Sequence, residues 1–319
     1  MRLAVPLIIL TTLIAACKNS TRGQVEIVEK NGARDDTNSV AHKVGEIEDL
    51  HAPESVRYDS LQDAFFVSNM QGLGSTKDNH GFILRVSAAD YRRMSIFAQS
   101  GEAGVELDAP KGMAIQGDTL WVADIDVLRG FNRVTGTPVA TVDFRPSHAV
   151  LLNDVALGPD GALYITDTGI IMSDKGVLHP GGDKVFRLQG RTIETLPFSP
   201  PIAWPNGITW DARGKRWLVV TFDPFASEVS SIRQGAWDRK RLASGIGRFD
   251  GVEVMGDGRI LVSCWADSSI HAFAEGRDER VIRHLSQPAD IGLDTRRNRV
   301  AIPLGMVDRV QFWEIAPAR

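Results

Sequence analysis

Six phrases in this chain share one design, and the third residue of each is where chemistry can be placed. The phrases are APESVRYD, APKGMAIQ, LLNDVALG, WPNGITWD, RFDGVEVM and QPADIGLD; their third residues are Glu54, Lys111, Asn153, Asn206, Asp250 and Ala289. Glu54 and Asp250 offer carboxylates, Asn153 and Asn206 neutral carbonyl oxygens. Brought around one axis, they make an all-oxygen set with two formal negative charges. That set suits Ca2+ in charge and hardness and leaves Mg2+, Mn2+ or Zn2+ open. No His or Cys stands at an equivalent place, which makes zinc the poorest fit. Asn or Asp beside Gly is also an ordinary turn former. Recurrence at one register, with a Glu that turn chemistry does not require, sets a shared site apart from isolated turns.

The elements that must position these residues follow from the spacing. The motif positions recur 39 to 57 residues apart, and each copy reads as a strand opening with the motif, a polar turn, a second apolar strand, a variable loop, and two more strands. Apolar residues at spacing two, punctuated by Gly, Asp and Pro, are the strand and hairpin signature. Second strands fall at 64–68, 119–123, 162–166, 216–221, 259–263 and 299–303. Repeats of this length with four strands each predict propeller blades. The expected fold is therefore all-β, a six-bladed β-propeller of four-stranded blades. The last copy supplies only three strands, so an N-terminal segment at 46–50 is expected to complete the last blade and close the ring. Two separate three-repeat sandwiches are the competing arrangement, but nothing between Asp143 and Asn153 reads as a linker.

In such a ring the motif residues and the loops after the second strands share the tunnel mouth. The longest of these loops are 70–81, with His80, and 169–183, with His179 and Pro180-Gly181-Gly182. His148 lies shortly before Asn153 on the same face. Lys111, His148 and His179 are candidate substrate-binding residues. Lys111 can bind a substrate carboxylate or phosphate, displace a metal by pairing with Glu54, or form a tunnel-side salt bridge. Asp290, one place after the sixth motif position, can hydrogen-bond across the tunnel or cap a turn. Asp124, Asp167, Asp223 and Asp267 end second strands and carry no assigned role. Cys264, within Ile260-Leu-Val-Ser-Cys264-Trp265, reads as a small buried hydrophobe.

Composition narrows the partners. With 43% hydrophobic and 24% charged residues the chain is globular rather than disordered, and a net charge of -4 gives no field for capturing nucleic acid. Met1-Arg2, an apolar run too short to span a bilayer, and Leu13-Ile14-Ala15-Ala16-Cys17 resemble a bacterial lipoprotein signal. The expectation is a signal peptide at 1–16, acylation of Cys17, a polar tether at 17–44 and a propeller at 45–319. The product would be exported and held by a lipid anchor on the periplasmic side of a membrane, more readily the outer one. No intrachain disulfide is expected, and the oligomeric state is not fixed by the sequence.

From roughly 46 to 315 the chain resembles the gluconolactonase, senescence-marker-protein and luciferin-regenerating-enzyme family, with diisopropyl fluorophosphatase and paraoxonases as relatives. Glu54 in Pro-Glu-Ser-Val, Asn153 in Leu-Asn-Asp, Asn206 in Pro-Asn-Gly and Asp250 in Phe-Asp-Gly carry the likeness. The resemblance implies a six-bladed propeller whose catalytic calcium is held by these four residues. It also implies hydrolysis of a small-molecule lactone or related ester. Asp250 or Glu54 would be the general base, as the only anionic groups in the set. Ser55 stands where many members have Pro, and Lys111 is a further departure. A non-enzymatic, membrane-anchored binding or scaffolding propeller, with the metal structural or absent, is the other expectation.

Overall fold

The alternation of apolar residues at spacing two builds six four-stranded antiparallel sheets in the computed structural model, which describes residues 40–317. The expected signal peptide, Cys17 and most of the tether lie outside the described residues. Each sheet is one blade, ordered from inner to outer strand. The inner strands are Pro53–Asp59, Pro110–Gln116, Leu152–Leu157, Pro205–Asp211, Phe249–Val254 and Gly292–Asp294. Blade 3 adds a two-stranded hairpin, Ile171–Ser173 with Gly176–Leu178, in its long loop. The arrangement is a six-bladed β-propeller, not a pair of sandwiches.

The ring closes as expected but with an earlier segment. Strand Ala41–Ile47, rather than 46–50, pairs antiparallel with Arg309–Ile315 and becomes the outer strand of blade 6. Residues 41–44, assigned from sequence to the tether, therefore belong to the propeller. The reason lies in the apolar ends of this strand: Ala41 and Ile47 are buried while the residues between are exposed or half-buried. Residues 48–52 instead form the connection into blade 1. Aromatic packing seals this seam, with Phe312 stacked on Tyr91 at 4.1 Å and packed against Phe65 at 5.3 Å. Between blades 3 and 4, Tyr164 and Trp217 meet at 4.0 Å.

Five inner strands carry the same irregularity. Pairing with the second strand breaks between Pro53 and Val56, Pro110 and Met113, Leu152 and Val155, Pro205 and Ile208, and Phe249 and Val252. Each break contains the motif residue and the one after it. A bulge strands backbone groups that must find partners when buried, and second-strand hydroxyls supply them. Thr166 Oγ1 accepts the Asp154 amide at 2.9 Å and donates to the Asn206 carbonyl of the next blade at 2.6 Å. Ser263 does the same between Gly251 and Ala289, at 2.7 and 2.8 Å. One hydroxyl thus fixes two neighbouring inner strands at the motif position.

Candidate metal centre

Glu54, Lys111, Asn153, Asn206 and Asp250 each occupy the second place of their inner strand, and all are at most 7% exposed. Ala289, also buried, precedes the short inner strand of blade 6. The Asn206-Gly207 and Asp250-Gly251 pairs, which in isolation suggest turns, lie inside strands. Their glycines serve close approach: a Cβ on Gly207 would stand 2.4 Å from the Asp250 carbonyl oxygen, and one on Gly251 2.5 Å from the Ile291 amide nitrogen. Neighbouring inner strands meet backbone to backbone there, which brings their motif residues together.

The connections entering the inner strands are held by carboxylates. Asp124 accepts the amides of Asp108 and Ala109, and Asp167 those of Val150 and Leu151, at 2.8 to 3.2 Å. Asp223 and Asp267 serve their own loops, Asp223 through the amides of Phe225 and Ala226 and Asp267 through Ser269 and His271. These acids tie down chain rather than face the motif residues.

Four oxygens stand apart from this satisfied network. Glu54 Oε2, Asn153 Oδ1, Asn206 Oδ1 and Asp250 Oδ1 are buried with no hydrogen-bond partner, and no other carboxylate or amide oxygen among the described residues is left so. An orphaned buried acceptor costs about 1–3 kcal/mol, and four at one register call for a shared partner with positive charge. Burial, with Asp250 and Asp290 adding to it and Lys111 opposing, holds the Glu54 carboxyl well above the usual carboxylate range. Burial, Asp290 and Asp154 do the same to Asp250, while the nearby Trp265 indole opposes them without making a hydrogen bond of normal geometry. Two desolvated carboxylates with two neutral carbonyl donors fit a hard divalent cation, which would take the place of a bound proton.

Immediately beside this ring lies a second polar layer that sequence reasoning largely missed. Asp154 accepts the amides of Val155 at 2.6 Å and Ile208 at 2.7 Å. Asp290 Oδ2 accepts the Ser55 hydroxyl at 2.5 Å, across the seam between blades 6 and 1. Arg57 donates to the Met113 carbonyl at 2.6 Å and to Glu253 at 2.8 Å, with Asp154 at 3.9 Å. Burial raises the carboxyls of Asp154, Asp290 and Glu253, and Arg57 pulls each of them down. Arg57 and Glu253 stand three places after the motif residue in blades 1 and 5, and that shared offset was the available signal.

The remaining candidates fall in different surroundings. The Lys111 ammonium donates to the carbonyls of Gly74 at 2.6 Å and Ala109 at 2.9 Å and has no carboxylate of the described residues within salt-bridge distance. Burial lowers its pKa, with Glu54 and Asp124 opposing. It anchors loop 70–81 to blade 2. His179 bonds Asp183 at 2.7 Å and stacks on Trp204 at 3.8 Å, two residues before Asn206. His148 is exposed, at the end of a short 3-10 turn with φ of 56°; its amide donates to the Arg145 carbonyl at 2.9 Å and its carbonyl accepts from Lys184. His80 is exposed and pairs with Asp78. Cys264 is fully buried, its thiol pushed up to about 12 by burial, as befits a packing residue. It lies in a cluster with Asp267 and His271, whose ring nitrogens are taken by Asp278 and Asp267.

Comparison with known proteins places this geometry. Residues 57–292 match the model of the SMP-30/gluconolactonase/LRE-like region. No curated protein matches the sequence significantly. Among solved structures, a luciferin-regenerating enzyme aligns with TM-score 0.64 at 11% identity, covering 87% of this chain and 95% of its own. A protein assigned as a gluconolactonase by family aligns at 0.62 and 18%, covering 88% and 93%. A catalytically inactive virginiamycin B lyase from Staphylococcus aureus, with quinupristin, aligns at 0.57 and 11%, covering 86% and 99%. At these identities the structural likeness is one of fold. The family match spans most of the chain, and by it the chain belongs to the SMP-30/gluconolactonase/LRE-like family.

Proposed function

We propose that this protein is a calcium-dependent hydrolase of lactones or related esters, acting at the mouth of the propeller tunnel. The observation that carries the reading is the set of four orphaned oxygens, one from each of four blades. Family membership and the fold shared with a protein assigned as a gluconolactonase support hydrolysis of a small molecule. Glu54, Asn153, Asn206 and Asp250 would hold the ion. Bound there, a hard divalent cation would supply Lewis-acid chemistry toward a substrate carbonyl. Asp250 or Glu54, the two anionic members of the ring, accepts the proton of the attacking water and returns it to the departing alkoxide. Asn153 and Asn206 fix the ring without adding charge, which keeps the site electrophilic.

Lys111, His148 and His179 would meet the substrate. Lys111 keeps one N–H beyond those given to the Gly74 and Ala109 carbonyls, and His179 is already oriented by Asp183 against Trp204. Export and acylation at Cys17 complete the proposal; a Cys17→Ala variant that stays in the membrane fraction would refute the anchor. The site is tested by calorimetric titration of calcium into the chelator-treated protein, beside Glu54→Gln. One ion per chain, lost in the variant, together with turnover on a lactone panel, is the expected result. No binding in the unmodified protein would return the chain to the non-enzymatic reading.

A further inference from the structure

We infer that the substrate of this site is a lactone or ester carrying an apolar chain, not a polyhydroxylated one; this takes the hydrolytic reading of the four-oxygen ring as given. The residues that flank the ring form one apolar cluster. Ala109, Ile125, Leu151, Ile170 and Phe222 are its buried part, and Met70, Met172, Trp204 and Trp265 are packed on it half-buried. Ala109, Leu151 and Trp204 each stand two places before a motif residue, Lys111, Asn153 and Asn206. Met70, Ile125, Phe222 and Trp265 each follow the end of a second strand in blades 1, 2, 4 and 5.

The half-buried members gather where a substrate would reach the ring. A Cβ placed on Gly74 would meet Met172 Sδ at 2.9 Å, Met70 Sδ at 3.5 Å and Lys111 Cε at 3.7 Å, so both thioethers and the Lys111 stem converge there. The Trp265 amide donates to the Arg248 carbonyl at 3.0 Å, two residues before Asp250, which holds Trp265 beside the ring. The Met172 amide donates to Ser75 Oγ at 2.9 Å, so the long loops of blades 1 and 3 meet beside the two methionines. Unbranched thioether side chains yield readily to a ligand of variable shape.

Most polar groups in this wall already hold partners. The Lys111 ammonium is held by two carbonyls, His179 by Asp183, and Asp124 and Asp167 by backbone amides. A sugar-like lactone would surrender water from each of its hydroxyls and find few free partners in this wall, the Trp265 indole N–H and the third Lys111 N–H among them, so part of that desolvation goes uncompensated. An alkyl chain instead gains ~fourfold in affinity for each methylene buried. Blades 5 and 6 place Arg248 and Gln287 where blades 2 to 4 place Ala109, Leu151 and Trp204. The chain therefore runs toward blades 2, 3 and 4.

The test uses the calcium-loaded full chain and six-membered lactams, which resist hydrolysis, in calorimetric titrations. A lactam bearing a heptyl chain is expected to bind at least ~tenfold tighter than gluconolactam, with affinity rising steadily from propyl to heptyl. The double variant Met70→Gln, Met172→Gln should weaken the heptyl lactam at least ~fivefold and leave calcium binding unchanged. Equal or tighter binding of gluconolactam, a flat chain-length series, or no binding of either lactam overturns the inference; the series needs no variant to fold. Turnover of the matching lactones separates the two readings. Preferential hydrolysis of gluconolactone would overturn the apolar-chain inference and uphold the hydrolase. Heptyl lactam binding by the wall, with no lactone hydrolysed, would uphold the apolar wall and sink the hydrolase.

Discussion

Two polar layers lie within three residues of each other along the same inner strands, and they are built on opposite terms. In the ring of Glu54, Asn153, Asn206 and Asp250, each side chain keeps one buried oxygen without a partner. In the layer of Ser55, Arg57, Asp154, Glu253 and Asp290, hydroxyl, guanidinium and backbone amides meet the acids. Both bury carboxylates, so burial alone does not mark a functional site. The distinguishing property is whether the protein supplies the compensating charge itself. Arg57 does so in the second layer; in the ring no described side chain pairs with the four oxygens, and there we propose a cation.

The largest test of this contrast removes a ring acid. Asp250→Asn should cut kcat/KM on the best lactone by about 10³-fold or more and abolish measurable calcium binding. The chelated protein should melt no lower than the unmodified one, because an unpaired buried charge has been removed. A fall in both activity and chelated stability would place Asp250 in the structural layer instead.

Arg57→Met makes the reverse cut. It leaves Glu253 and Asp154 without their cation, and urea unfolding should show a loss of about 3 kcal/mol, with or without calcium. A variant of normal stability would mean that Arg57 does not neutralise that layer.

Acidity separates the layers without mutation. Glu54 and Asp250 have folded-state pKa values raised above the unfolded carboxylate range of about 4. The folded, chelated protein therefore binds more protons than the unfolded chain, and its stability rises as pH falls from neutrality toward about 4. Asp154, Asp290 and Glu253 add the same trend whether or not metal is present. The difference between melting curves with chelator and with calcium thus isolates the ring, and its slope should be the steeper with chelator. Parallel curves would exclude a cation on Glu54 and Asp250. The smallest effect is expected from Ser55→Ala, which deprives Asp290 of its hydroxyl and should cost about 1.5 kcal/mol while leaving calcium affinity intact.

The ring was legible in the sequence because its four members share a register, and register survives variation in loop length. The second layer was legible only at Asp290, and the bulges explain why. A strand read with strict alternation turns the residue after the motif away from the axis, yet Asp154 and Asp290 reach other blades from that position. Each inner strand of blades 1 to 5 breaks its pairing there, and no residue type announces the break. Lys111 was recognised as unusual, but its partner is a backbone carbonyl 37 residues earlier, which carries no side-chain signature. The closing strand was expected a few residues late because 46–50 and 41–47 both read as outer strands, and the burial of Ala41 and Ile47 at the ends of the earlier one decides between them.

That seam also dictates an order of events during folding. Ala41–Ile47 has no strand to pair with until Arg309–Ile315 has emerged, so the chain must carry an incomplete ring through nearly its whole synthesis. Contacts of such long sequence separation form slowly. The same closure brings the Asp290 amide to the Glu54 carbonyl at 2.9 Å and the Ser55 hydroxyl to Asp290. Glu54 is therefore locked into its final place from both sides only when the last blade docks on the first, and a nascent or truncated chain would carry its share of the site on an open arc.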